Sequence, residues 1–401
     1  MTPDTSIYLH IPFCAHRCAY CDFNTYAGQE ALIPAYMDAL IREIETVSAL
    51  QPHPGPVHTI FFGGGTPSLV PTSHLSAVMD ALRRSFALTA NLEATLEANP
   101  GTVTPQSLTE MRAAGLNRLS FGVQSANPAE LRLLERAHNF FEVIQSVKWA
   151  RQAGFERLNL DLIYGLPEQT LADWQNSVKR ITDLGPEHIS MYGLTIEYGT
   201  PFGRWAARGL LPIPNPDLAA DMYEWAAEYL QNNDYAQYEI SNWAIPGEES
   251  RHNLQYWRNL PYYGFGAGAH GYTNGIRYSN VVRIKTYIDR LKSSAPVRES
   301  VIKSVPKSAP VRESAIKSVN SPTPRQTMQE TMMLGLRLTK EGVSDSDFRD
   351  RFGIGITEAF PQEIADLTRL GLLEWQDKSL RLTPHARLIG NQVFMRFVDE
   401  T

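Results

Sequence analysis

Along the first half of the chain, short apolar runs alternate with longer amphipathic ones. Six of the short runs read as strands: Ser6–Phe13, His58–Pro67, Leu92–Pro100, Arg118–Ser125, Arg157–Pro167 and His188–Glu197. Their apolar residues are nearly continuous rather than alternating, as suits strands covered on both faces. The stretches between them are helix-length and carry apolar residues at helical spacing. Thr104, Pro105 and Gly115 supply an N-cap, a first helical residue and a stop for one, and Asn139 to Gly154 form another. Six such units predict an α/β fold with a parallel sheet, either an incomplete barrel or a doubly wound sheet. Both put a ligand site beyond the C-terminal strand ends.

The second half breaks this rhythm. Residues from about Pro201 to Leu291 are rich in aromatics and glycine, centred on Arg251–Tyr272. Ser294–Val305 then recurs as Ser308–Val319, differing only at Val301 and Ala315. With no aromatic residue and much Ser, Pro, Lys and Arg, this duplicated stretch reads as a solvated linker. Beyond it, three amphipathic helical runs (the last spanning Thr357–Gly371) and a hairpin turning at Asp377–Ser379 predict a small winged-helix-like α+β domain. The expected division is therefore 1–230, 231–292, a linker at 293–325, and 326–401.

Composition narrows the classes. Hydrophobic residues make up 43% and charged residues 20%, ordinary for a globular protein with a sizeable core. A net charge of −6 argues against a broad nucleic-acid or anionic-membrane surface. No apolar run approaches the roughly 20 residues that cross a bilayer. The N-terminus lacks the basic segment of a signal peptide, so a cytoplasmic location is the expectation.

The chemistry concentrates at the strand ends. All three cysteines, Cys14, Cys18 and Cys21, follow the first strand within eight positions. An odd, clustered set is a poor disulfide framework. Three thiolates can close a loop around one inorganic centre. They could hold an iron–sulfur cluster with one iron left open, or zinc with His10 or His16 as fourth ligand. They could also be inert buried thiols. Gly63-Gly64-Gly65-Thr66-Pro67 ends the second strand, Glu97 the third, Gln124 the fourth and Asp161 the fifth. Such convergence on one rim is hard to explain by packing.

Cys14-x-x-x-Cys18-x-x-Cys21, with the glycine-rich second strand end and the six-unit alternation, resembles the radical S-adenosylmethionine (SAM) superfamily. The resemblance implies an incomplete (β/α)6 TIM-like barrel. It implies a [4Fe–4S] cluster on the three cysteines and SAM chelated at the open iron, whose reduction yields a 5′-deoxyadenosyl radical. It further implies SAM contacts from Tyr8, Tyr20, Gly64, Gly65, Thr66, Glu97, Gln124, Arg136 and Asp161. Arg136 suits the methionine carboxylate, and Glu97 and Asp161 suit the ribose hydroxyls.

"YLHIPFCAHRCAYCDF", "FFGGGTPS", "LEANPGT", "SFGVQS", "RAHN" and "NLDLIYGLP" together resemble the branch containing oxygen-independent coproporphyrinogen III oxidase and the haem chaperone HemW. The oxidase carries a further cysteine two residues after the third and a long segment before its cluster. Here Phe23 stands at that position and thirteen residues precede Cys14. His252-Asn253-x-x-Tyr256-Trp257 is similar to the HNxxYW motif associated with haem binding in HemW. A neutral imidazole is a common axial ligand to haem iron, and the aromatic rings offer flat faces. His270 is a second possible ligand, although its glycine neighbours suit a turn. The chaperone reading implies haem, haem-accepting proteins such as respiratory enzymes and an electron donor as partners. Peripheral contact with membrane haemoproteins is compatible with it. The alternatives are a porphyrinogen oxidase and a zinc-stabilised scaffold.

Overall fold

The computed structural model describes residues 4–50, 55–292 and 314–398. They divide into two compact units, Met1–Tyr223 with Pro261–Asn320, and Glu224–Leu260 with Ser321–Thr401.

The first unit is built on six parallel strands: β1 (Thr5–Ile11), β2 (Val57–Gly64), β3 (Leu88–Ala98), β4 (Arg118–Gln124), β5 (Arg157–Tyr164) and β6 (His188–Gly193). They lie side by side in chain order. Helices α1 (Ile33–Leu50), α2 (Thr72–Ser85), α3 (Pro105–Ala113), α4 (Pro128–Leu133), α5 (Phe140–Gln152) and α6 (Leu171–Thr182) make the connections. Ile7, Leu9, Ile60, Phe62, Leu96, Leu119, Phe121 and Leu160 are fully enclosed, as the continuous apolar runs require. Thr104 caps α3 by accepting from Ser107 N, and Asn139 caps α5 through a reciprocal pair with Glu142.

Two expectations change. Residues 231–292 do not form one segment. Tyr262–Phe265 joins the free edge of β1 in parallel, and His270–Thr273 and Ile276–Asn280 continue the sheet antiparallel. Sheet pairing, which the aromatic composition did not advertise, decides this. The expected linker also ends early. Ile316–Asn320, which takes in the end of the second repeat copy, is a strand paired antiparallel with Ile276–Asn280. The rest of the duplication, through residue 313, lies outside the described residues.

The second unit contains helices Pro324–Gly335, Asp345–Phe352 and Pro361–Arg369, and a hairpin of Leu373–Gln376 with Ser379–Leu382. Val343–Ser344 adds a third strand. Its core includes Met332, Leu336, Phe348, Phe360, Leu380 and Phe394. This is the winged-helix-like outline expected, with an additional helix at Gly390–Met395.

Candidate functional site

The cysteines sit in a loop that β1 launches and that closes on itself. Tyr26 N donates to Pro12 O at 2.7 Å, and Phe13–Cys14 pairs in parallel with Tyr26–Ala27. All three thiols are free; Cys14 is buried, and Cys18 and Cys21 are partly exposed. Burial pushes the Cys14 and Cys21 thiols up. Thr66 Oγ1 donates to Cys14 Sγ at 3.7 Å, and Arg136 Nη1 to Cys18 Sγ at 3.4 Å.

The end of β2 forms the floor under this loop. Gly65 N donates to Ile11 O at 2.8 Å and Thr66 N to Phe13 O at 2.7 Å. Glycine is required here first by the protein's own atoms. A β-carbon at Gly64, where φ is +115°, would stand 2.5 Å from His10 Cε1. One at Gly65 would stand 2.6 Å from Phe13 O and 3.0 Å from Cys14 Sγ.

Carboxylates line the neighbouring strand ends. Glu97 accepts from Gly64 N at 3.0 Å and is pushed up to about 8 by burial, reinforced by the nearby Asp161. Asp161 is also raised by burial, opposed by hydrogen bonds that include Asn159 at 2.7 Å and Ser120 at 3.2 Å. Tyr8 reaches the same region, with Oη 2.9 Å from His10 Nδ1. Gln124 ends β4 in the left-handed region, φ 70°, beside a register shift. A non-glycine residue held there is strained, and such strain gathers at ligand sites.

Arg136 ties the rim together. Its Nη2 donates to Gly122 O at 2.6 Å and to Asn99 Oδ1, and it pairs with the buried Tyr20 hydroxyl. Its Nε is buried with no hydrogen-bond partner among the described residues. An orphaned guanidinium donor beside the thiol loop suits an anionic ligand group. Thus the twelve residues of the first unit singled out from the sequence share one region. Two contributors were not foreseen. Asn99, within the "LEANPGT" run, joins Thr66 at 3.0 Å to Arg136. Phe202 packs with Ala19, its N–H donating to Ala19 O at 3.0 Å.

The two histidines considered as a fourth zinc ligand have other partners. Both nitrogens of His10 are engaged, Nδ1 by Tyr8 and Nε2 by Asn24 O at 2.9 Å. His16 Nε2 lies 3.2 Å from Glu135. Three clustered thiols, a glycine floor and an orphaned cationic donor fit an iron–sulfur cluster with an accessible iron.

The remaining residues lie in the second unit, on helix Arg251–Trp257. His252 is only 1% exposed, and its Nε2 meets Tyr256 Oη at 2.9 Å with the rings edge to face. Asn253 Nδ2 reaches Tyr238 Oη at 3.5 Å. The buried Trp257 Nε1 has no hydrogen-bond partner among the described residues, and Arg337 lies 5.2 Å from the ring centroid. The motif is thus gathered on one turn, with its imidazole enclosed. His270, by contrast, is exposed in the first unit.

Sequence comparison agrees with this geometry. Residues 8–181 match the radical SAM superfamily, and residues 323–389 the HemN C-terminal domain. The heme chaperone HemW of Bacillus subtilis is 38% identical over 98% of this chain and 99% of its own. The chain belongs to the HemN/HemW branch of the radical SAM superfamily. HemW of Lactococcus lactis is 35% identical over 98% of this chain and 97% of its own. The fold is shared with coproporphyrinogen III oxidase (HemN) of Escherichia coli, at TM-score 0.81 and 24% identity, covering 98% of this chain and 90% of that one. Membership implies a [4Fe–4S] cluster and SAM. Among the described residues, no helix is long and apolar enough to cross a membrane.

Proposed function

We propose that this protein is a haem chaperone that carries a [4Fe–4S] cluster and SAM and passes haem to haemoproteins. One observation carries the reading: the thiol triad is gathered over a glycine floor in a chain that heme chaperones match along nearly its whole length. Cys14, Cys18 and Cys21 would hold the cluster. Gly64, Gly65, Thr66, Glu97, Gln124, Arg136 and Asp161, with Tyr8 and Tyr20, would hold SAM. When bound, the cluster supplies the electron for SAM cleavage. Arg136 would present its guanidinium to the ligand carboxylate, while Glu97, a proton donor below about pH 8, and Asp161 would orient hydroxyls.

His252 is assigned to haem, with Tyr256 releasing its Nε2 as the ligand approaches. Haem acceptors and an electron donor are the partners this role requires, and the cytoplasm is its proposed setting. The test is anaerobic reconstitution with iron and sulfide, then haem titration with and without SAM. Stoichiometric haem binding that weakens at least about tenfold in His252→Ala is expected, the scale of losing one ligand bond. Unchanged binding removes His252 from the site. SAM-dependent loss of carboxylates from coproporphyrinogen III would instead establish the oxidase. Phe23, 65% exposed where the oxidase carries a cysteine, stands against that outcome.

A further inference from the structure

The glycine-rich run "GFGAGAH", Gly264–His270, has no role in the reading above. Its hydrogen bonds give it one. Gly266 N donates to Glu43 Oε2 at 2.8 Å, and Ala267 N to Tyr36 Oη at 2.8 Å. Gly268 N donates to Val281 O and Ala269 N to Gly266 O. Every amide of this tight turn is therefore fixed from within the sheet edge or from α1. Glu43 is itself held by Asn280 Nδ2 at 2.7 Å and Tyr287 Oη at 2.5 Å. A buried carboxylate with three donors is a rigid post.

The cysteine loop is moored to this edge by Asn24 and, two residues on, by Tyr26, whose Oη donates to Val282 O at 3.1 Å. Asn24 lies three residues after Cys21. Its Nδ2 donates to Ala267 O and to Val282 O, both at 3.0 Å, using both amide hydrogens. Its backbone carbonyl accepts from His10 Nε2 at 2.9 Å. Tyr36 Oη donates to His10 O at 2.7 Å, which closes the circuit on the end of β1. Two glycines make room for these approaches. A β-carbon at Gly266, φ +98°, would stand 2.5 Å from His10 O, and one at Gly268, φ +82°, 2.5 Å from Asn24 Nδ2. Both demand the left-handed region as well as the space.

We infer that Asn24, seated on the Gly266–Ala269 turn and braced by Glu43 and Tyr36, is a positioning residue that fixes the exit of the cysteine loop and so holds its thiols in register for the cluster. It touches no thiol and no ligand; it acts through the backbone of residues 21–24. The inference rests on the cluster assignment above, and its test separates the two.

Two readouts are used on the full chain. In the cluster-free protein, hydrogen exchange of the amides of residues 18–26 is compared between wild type and Asn24→Ala. After anaerobic reconstitution, the rate at which an iron chelator strips the cluster is measured. Asn24→Ala should speed loop exchange and cluster loss by about tenfold each, the scale of two lost hydrogen bonds, with exchange in residues 33–50 unchanged. Gly268→Ala should do the same through its clash with Asn24. The double variant should fall short of the sum of the two, because the clash with the Asn24 amide has lost its partner while the cost of a β-carbon at φ +82° remains. Loop exchange equal to wild type in Asn24→Ala, or additive effects in the double variant, overturns the inference. A wild-type chain that takes up no cluster overturns the cluster assignment, while the exchange data still decide the mooring.

Discussion

At Gly65 the space for a side chain is already taken by Phe13 O and Cys14 Sγ. Gly65→Ala forces the thiol loop to move by several tenths of an ångström, and an overpacked backbone contact has little room to relax. Iron and sulfide retained after reconstitution should fall to roughly half or less, with the circular dichroism spectrum preserved. Full retention would show that the floor is slack. Glu43 makes a second prediction of this kind. Burial raises its carboxyl to about 7, opposed by Tyr287, Gly266 and Asn280. The unfolded value is near 4.3. A raised acid stabilises fully below its unfolded pKa, and that share is lost as pH rises through the folded value. Stability by urea unfolding should therefore fall by on the order of 1–3 kcal/mol from pH 5 to pH 8. Glu43→Gln should flatten this slope. Its fixed cost, from an amide N–H turned toward the donors around it, appears as an offset. The phenols of Tyr36, Tyr278 and Tyr287 also face this carboxylate, but they stay protonated throughout that range. Glu239 is likewise raised to about 7, so the difference in slope between the two proteins is the quantity to read.

Among the elements, the hairpin at Leu373–Leu382 is sound in pattern and strained in its turn. Asp377 and Lys378 both have positive φ, 47° and 69°, as a type I′ turn requires. Lysine is a poor occupant of that position. Lys378→Gly should stabilise the second unit by about 0.5–1 kcal/mol, seen as a higher urea midpoint with unchanged slope; a lower midpoint would mean that the lysine makes compensating contacts. The turn was legible because a break between two alternating runs has few solutions. The same holds for the six parallel strands, since burial on both faces leaves a continuous apolar signature. Strand ends were read too long wherever glycine or proline followed, as at Pro67 and Pro167. Thr357–Gly371 reads as one helix but splits at Phe360, where Pro361 opens a new one. The edge strands at 262–280 and 316–320 were not legible, because their pairing depends on partners far along the chain. The candidate site was legible where chemically odd residues concentrate, as at the cysteines and at Glu97 and Asp161. Asn99 and Asn24 were not, because an asparagine that bridges side chain to backbone leaves no spacing pattern.

Taken whole, the chain is divided otherwise than its sequence suggests, and the division has an energetic consequence. The expected C-terminal domain began at residue 326. The compact unit instead draws in Glu224–Leu260 from the middle of the chain. Thr339 N and Oγ1 donate to the carbonyls of Tyr238 and Gln237 at 3.1 and 3.0 Å. Arg258 grips Glu341 with two hydrogen bonds, at 2.9 and 2.6 Å, although this exposed pair adds little alone. Asn259 bonds Thr331 and accepts from Arg351, while Ile240 packs against the core of Leu380 and Phe394. Removing the middle segment would leave these groups unmatched and bare an apolar face. Residues 321–401 expressed alone should therefore unfold at a lower urea concentration than the same residues with a peptide of residues 224–260 added. The midpoint should rise with peptide concentration, because a partner that binds only the folded state stabilises it by mass action. A fragment whose midpoint ignores the peptide would show that the winged-helix-like core is self-sufficient. Helix Arg251–Trp257, with its His252 and Tyr256, would then be carried by that core rather than part of what holds it together.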